Sequence, residues 1–257
     1  MTIEMRSAAI IIGASGGLGS ALCRQWQQDS DTNHVFAITR QAPGEPAAND
    51  ATEKCVTEIQ YIQCDYSESS ITSACEEITK RMHTMALDAV TRVCICNGIL
   101  HYDTIGPEKR LEDMSINSLL QVFMINSVIP MLWMKALVSI VKGPSDCVIS
   151  VFSARIGSIG DNRSGGWYSY RASKAALNML LKTAAIEYAR RAKNVKLIAF
   201  HPGTTDTNLS RPFQRSVRKE NLFSPDYVAE HLVRIMNTKE IDGELSFIDW
   251  ENKPIAW

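Results

Sequence analysis

The chain of 257 residues lacks an excess of either charge: 27 Lys and Arg stand against 28 Asp and Glu. A formal net charge of −1 gives no electrostatic footprint for nucleic acid or for an anionic membrane. Cysteine is too sparse and scattered for a disulfide framework, with seven residues and therefore an odd count. The five histidines, His34, His83, His101, His201 and His231, are dispersed and fall into no zinc-ligand spacing. No secretory signal is legible, because Met1 to Arg6 leads directly into an apolar run of strand type. A long uninterrupted apolar segment is missing too. The most apolar stretch, Leu119 to Val141, is broken by Gln121, Asn126, Ser127, Pro130 and Lys135, so a buried helix is expected there rather than a membrane span. The cysteines then read as small buried hydrophobes in a reduced cytoplasm.

What is present is ordinary globular composition, 45% hydrophobic and 21% charged, in a chain long enough to bury a core without metal or disulfide staples. Apolar runs of strand length alternate with helical segments. Strands are expected at Ala8–Ile12, Val35–Ile38, Ile59–Cys64, Arg92–Cys96, Asp146–Phe152, Val195–Phe200 and Leu245–Ile248. Helices are expected at Leu18–Gln28, Ser70–Met82, Asn117–Val141 with a bend at Pro130, Tyr168–Arg191 and Pro225–Met236. Gln41 to Asp50, rich in Pro, Gly, Ala and Asn, reads as a loop. The alternation specifies an α/β class: one doubly wound Rossmann-type domain, with about seven parallel strands and helices on both faces. In such a sheet ligands bind beyond the carboxyl ends of the strands, where strand order reverses.

Three motifs fall at those ends. Gly13-Ala-Ser15-Gly-Gly17-Leu18-Gly19 follows the first strand and opens a helix, the context in which glycines let backbone amides approach a pyrophosphate. The second strand ends in Thr39-Arg40, where an NAD-binding chain would place an acid. A guanidinium there suits a 2′-phosphate, so NADP is expected over NAD. Tyr170 and Lys174 stand four residues apart and share a helix face. An ammonium beside a phenol favours the phenolate, which predicts a Tyr170 pKa lowered towards neutrality and a usable acid–base group.

With these segments in place, the chain resembles the short-chain dehydrogenase/reductase family along nearly its whole length. Gly13, Gly17 and Gly19 match its glycine turn, Asn97-Gly98 its Asn-containing turn, Tyr170 and Lys174 its catalytic pair, and Pro202-Gly203 its loop over the nicotinamide. Ser153 to Ser158, Gly165 to Lys174 and Gly203 to Thr207 look like the subgroup containing C-factor and sniffer-type carbonyl reductases. The resemblance implies that Tyr170 exchanges a proton with a small carbonyl or alcohol substrate as hydride moves to or from the nicotinamide. It implies that Lys174 also holds the ribose, and that Asn126 positions a water in a proton relay. Asp65 and Asn97 would meet the adenosine, while Thr205 and Thr207 would approach the phosphates or amide. It further implies a homodimer or homotetramer paired through the two long helices.

The family's serine is where this chain departs: the string reads Ser153-Ala154-Arg-Ile-Gly157, and Ala154 occupies the slot of the usual hydroxyl. Ser153 is the expected substitute, with Ser158 as the other choice. The departure leaves open a cofactor-binding signalling protein with little turnover. An epimerase or dehydratase also fits Gly13, Gly16 and Gly19, but too few residues follow Gly203 for a separate substrate domain. Arg155, Trp167 and Phe213 are expected to line the pocket, and Thr204 to Phe223 to form a lid. Its Arg211, Arg215, Arg218 and Lys219 could meet an acidic substrate, though such charges more often form a solvated face.

Overall fold

A computed structural model describes residues 5–29, 32–41, 57–102 and 105–257. Most of the loop expected at Gln41 to Asp50 lies outside the described residues.

The strands are β1 (Ser7–Ile12), β2 (His34–Thr39), β3 (Glu58–Gln63), β4 (Ala89–Ile95), β5 (Cys147–Phe152), β6 (Val195–His201), the short β7 (Thr204–Thr205) and β8 (Leu222–Phe223), and β9 (Leu245–Asp249). Seven of them form one parallel sheet in the order β3-β2-β1-β4-β5-β6-β9, while β7 and β8 pair apart from it. Every neighbouring pair in the large sheet is parallel. The inner strands β1, β2 and β5 are buried at every position, as their unbroken apolar runs require of a sheet covered on both faces. The edge strand β3 instead exposes Glu58, Tyr61 and Gln63.

The helices are α1 (Gly17–Gln27), α2 (Glu68–Thr84), α3 (Ile116–Phe123), α4 (Ile129–Val141), α5 (Tyr168–Arg191) and α6 (Pro225–Thr238). Two cores result. Ile10, Val93, Ile149 and Leu197 meet Ile78, Trp133, Leu137, Leu177 and Leu181 of α2, α4 and α5 on one face. Ile11, Cys94, Val148 and Ile198 meet Leu22, Trp26, Val228 and Leu232 of α1 and α6 on the other. Strand order reverses between β1 and β4, which puts Gly13 beside Asn97: a Cβ on Gly13 would lie 3.2 Å from the Asn97 nitrogen.

The expected long helix is present but not uniform. Between α3 and α4, residues Met124–Val128 wind as one π-helical turn, and Pro130 opens α4 rather than bending a continuous α-helix. The stretch Ile116–Val141 is long and apolar enough to cross a bilayer. It packs instead on α2, α5 and β4. The segment after β6 also has structure: besides the β7–β8 pair, short 3₁₀ turns occupy Arg211–Ser216 and Lys219–Asn221.

Candidate active site

Beyond the carboxyl ends of β1, β4, β5 and β6 lies a cavity of about 960 Å³. Of the residues singled out in the sequence, Leu18, Asn97, Gly98, Ser153, Tyr170, Lys174, Pro202, Gly203, Thr205 and Thr207 line it together. Gly13, Ser15, Gly17, Gly19, Arg40 and Asp65 are not part of its wall. Asn126 is fully buried behind it.

The glycine turn forms as expected. Gly13 has φ +82°, a left-handed backbone that side chains resist. Gly19 packs directly on the turn, since a Cβ there would stand 2.2 Å from the Gly13 carbonyl oxygen. No side chain caps α1, whose N-cap is Gly16, so the first amides of the helix are left for a ligand. Gly17 faces Thr207, 2.7 Å from where its Cβ would be. The Asn97 Oδ1 is buried with no partner, while its Nδ2 donates to the Ile125 carbonyl at 2.8 Å. A dipole-rich, side-chain-free helix start next to an orphaned acceptor fits a dinucleotide. Arg40 is exposed at the end of β2 and pairs with no carboxylate among the described residues. Asp65 shapes the entry to α2. Its carboxylate accepts from the Ser67 amide at 2.8 Å, and Ser67 is the N-cap of that helix.

Asn126 is set by the π turn. Its Oδ1 accepts from the Ile99 amide at 2.7 Å, and its Nδ2 donates to the Ile99 carbonyl at 2.9 Å and to Ser173 Oγ at 3.1 Å. It thus joins the loop after β4 to the helix carrying Tyr170 and Lys174. The Lys174 Nζ donates to the Phe152 carbonyl at 2.7 Å and lies 5.9 Å from the centre of the Tyr170 ring.

The electrostatics differ from the expected acidified phenol. Burial pushes Tyr170 up to about 12 and Lys174 down to about 7. Desolvation penalises both charged forms, and it outweighs what a neighbouring ammonium would give the phenolate. Tyr170 is therefore held protonated, as a donor to a carbonyl oxygen must be.

Ser153 and Ser158 separate cleanly. Ser153 lines the cavity, and its hydroxyl donates to Asn178 Oδ1 of α5 at 2.6 Å. Ser158 is buried off the cavity, and its Oγ accepts from the Asp161 amide. Arg155 corrects another expectation. It turns away from the cavity to pair with Asp161 and with the nearly buried Asp249. Trp167 and Phe213 do line the cavity, their rings 5.1 Å apart, and Trp167 meets Tyr170 edge-on at 6.3 Å. The segment from Thr204 to Phe223 reaches across the opening, where Asn208 O meets His101 Nε2 at 3.1 Å and Phe213 packs on the His101 ring. Of its cationic residues only Arg215 reaches the cavity wall.

Sequence reasoning did not find Glu108, which is 4% exposed. Helix α5 starts without help from its own N-cap: Gly165, Gly166 and Trp167 are all left-handed, and Trp167 offers no cap. Glu108 supplies one from a distant loop. Its carboxylate accepts from the Ser169 amide at 3.1 Å and from the Ser169 hydroxyl, and its carbonyl accepts from the Trp167 amide. A carboxylate at a helix N-terminus also meets the positive end of the dipole. Tyr170 follows in the next position. Glu108→Ala is expected to lower stability by about 2 kcal/mol, the value of a cap together with a buried charged hydrogen bond. The same variant lowers turnover at temperatures where it is still folded; a melting curve and a rate measured side by side check both effects.

The short chain dehydrogenase family profile matches residues 7–218. The chain belongs to that family. It is an oxidoreductase of the short-chain dehydrogenase/reductase type. Benzil reductase ((S)-benzoin forming) of Bacillus cereus is 26% identical over 93% of this chain and 98% of its own length. C-signal of Myxococcus xanthus is 25% identical over 57% of this chain and 83% of its own length. The fold is shared with an NADPH-bound carbonyl reductase from chicken fatty liver, with a TM-score of 0.77 at 20% identity, over 99% of this chain and 100% of that one.

Proposed function

We propose that this member of the family is an NADP-dependent carbonyl reductase, with residues 1–257 acting as one dinucleotide-binding domain. Its substrate is a small, largely apolar carbonyl compound or the corresponding alcohol. The observation that carries the reading is the convergence of Tyr170, Lys174 and Pro202-Gly203 on one aromatic-lined cavity that also reaches the start of α1.

In this reading Gly13, Ser15, Gly17, Leu18 and Gly19 cradle the diphosphate. Arg40 meets the 2′-phosphate. Asp65, Asn97 and Gly98 flank the adenosine side, and Pro202, Gly203, Thr205 and Thr207 flank the nicotinamide side. NADPH supplies the hydride when bound. Tyr170 donates its phenolic proton to the carbonyl oxygen, and Lys174, held by the Phe152 carbonyl, stabilises the phenolate left behind. Asn126 fixes the Ile99 backbone and Ser173, and so the start of α5. Its amide is committed to those partners and lies off the cavity wall, so we assign it a positioning role in place of the expected relay water. Ser153 locks α5 to the end of β5 through Asn178. Trp167 and Phe213 exclude water from the reacting carbonyl.

Benzil reductase as a relative, and NADPH in the chicken structure, support this choice of chemistry and cofactor. The experiment is a screen of aldehydes, ketones and benzil with NADPH and NADH side by side. Arg40→Ala should weaken NADPH binding about 10- to 100-fold, the loss of a charge-assisted contact of about 1.5–3 kcal/mol, while NADH binding barely changes. Equal loss for both cofactors in fluorescence titrations would remove Arg40 from the phosphate site.

A second reading is a cofactor-binding signalling protein with little turnover. Ala154 on the cavity wall and the commitment of Ser153 to Asn178 favour it, as does the partial likeness to C-signal. Its mark is a biological effect that survives Tyr170→Phe. In either case we place the chain in the cytoplasm, as a homodimer or homotetramer, with no nucleic acid or membrane partner.

A further inference from the structure

One stretch of the wall of the cavity that Tyr170 lines is short of hydrogen-bond donors. Ala154 presents only a methyl group there. Ser153 has a single hydroxyl proton, which it gives to Asn178. A carbonyl taking up hydride gathers negative charge on its oxygen, and one donor, Tyr170, is a sparse environment for that charge.

His201 stands beside this gap. It ends β6, whose Phe200 pairs with Phe152 of β5, and the Ser153 amide donates to the Phe200 carbonyl at 2.8 Å. Residue 201 therefore lies alongside residues 153 and 154 on the neighbouring strand. Its side chain lines the same cavity as Ala154 and Tyr170. Trp250 supports the ring edge-on at 5.7 Å. No protein group among the described residues hydrogen-bonds to either ring nitrogen, and Nδ1 is buried without a partner. A buried orphan acceptor is tolerated more readily than a buried orphan N–H. The favoured tautomer accordingly carries its proton on Nε2, the nitrogen left for the cavity. Burial, together with the nearby Arg155 charge, pushes the imidazole down to about 3, so it stays neutral and keeps that one proton at ordinary pH.

We propose that His201 is a catalytic residue that donates an Nε2–H hydrogen bond to the substrate carbonyl oxygen alongside Tyr170. The inference rests on the reductase reading above and deepens it. In the step, hydride from NADPH forms the new C–H bond and leaves NADP⁺. The C=O π pair moves onto oxygen, and that oxygen takes the Tyr170 proton. His201 transfers nothing; it holds the oxygen while charge builds and keeps its own proton throughout. A ring without a protein hydrogen bond thereby acquires its partner only when substrate arrives.

The test uses the NADPH-loaded chain with benzil as the probe. His201→Phe fills the space but removes the donor, and kcat should fall about 100-fold, the scale of losing one preorganised oxyanion donor. The dissociation constant for NADPH and the melting temperature should stay near those of wild type. His201→Asn retains a donor and should keep most of the activity. Adding Ala154→Ser to His201→Phe should restore part of the loss, by returning a hydroxyl to the same wall. A readout independent of turnover is the ¹⁵N signal of His201 Nε2, which should move when benzoin is added to the NADP⁺ complex. Unchanged kcat in His201→Phe, or an unmoved ¹⁵N signal, would overturn the proposal. So would a loss that tracks NADPH affinity or melting temperature, because the ring would then be structural. Full benzil turnover by Tyr170→Phe, or a wild-type chain that neither reduces benzil nor binds benzoin, strikes the reductase reading itself.

Discussion

Tyr170→Phe should cut carbonyl reduction by about 10²–10⁴-fold, the usual worth of a positioned general acid, while NADPH binding changes little. The expectation follows from how the phenol is kept. It is half-buried, held protonated by desolvation, and met edge-on by Trp167. Lys174 sets the accompanying pH dependence. Its pKa is depressed to about 7, so the ammonium is present below that value and is lost as pH rises through it. The ammonium stabilises the phenolate left after proton donation, and reduction should therefore slow as pH climbs past about 7. Tyr170, at about 12, remains protonated across that window and does not limit the rate. Steady-state rates from pH 5 to 9 check both statements. A profile that falls on the acid side instead would reverse the assignment of Lys174.

Gly19→Ala should be the most damaging glycine-to-alanine substitution among the described residues. Its added Cβ would lie 2.2 Å from the Gly13 carbonyl oxygen, 2.8 Å from Ala14 Cα and 2.9 Å from the Gly13 carbonyl carbon. All three are backbone atoms of the phosphate turn, so no side chain can swing away. Relief requires moving either α1 or the turn itself, at a cost of about 3 kcal/mol or more. For a chain of this length that corresponds to a fall in melting temperature of roughly 6–12 °C. NADPH binding should be lost with it. Gly143→Ala and Gly106→Ala provide the contrast, because nothing stands within 4 Å of a Cβ at either position. If Gly19→Ala melts like those two variants, the close packing of α1 on the turn is not what holds the phosphate site.

The sheet, its helices and the position of the glycine turn are legible in the sequence because each depends on local pattern: apolar runs for buried strands, glycines between a strand and a helix, and Tyr170 one turn from Lys174. Contacts between distant residues are not legible. Glu108 caps a helix that begins some sixty residues later, and no spacing rule points to it. Arg155 is expected in the pocket, but Asp249, brought in by β9, draws it away. The direction of the Tyr170 pKa escapes the sequence for a related reason. The neighbouring ammonium is visible as an i, i+4 pair, whereas the burial that outweighs it comes from the whole fold. Ser153 rather than Ser158 does reach the cavity wall, yet the Asn178 acceptor that claims its proton lies 25 residues away.

The π turn at Met124–Val128 has a consequence for how this architecture tolerates change. One extra residue is wound into that stretch, so the apolar stripes of α3 and α4 are out of phase: α3 faces α5, while α4 reaches α2, α5 and β4. A substitution on α3 is therefore felt chiefly by α5, and one on α4 by three elements at once. The loosened coil between them pins a single amide, that of Asn126, in a fixed orientation.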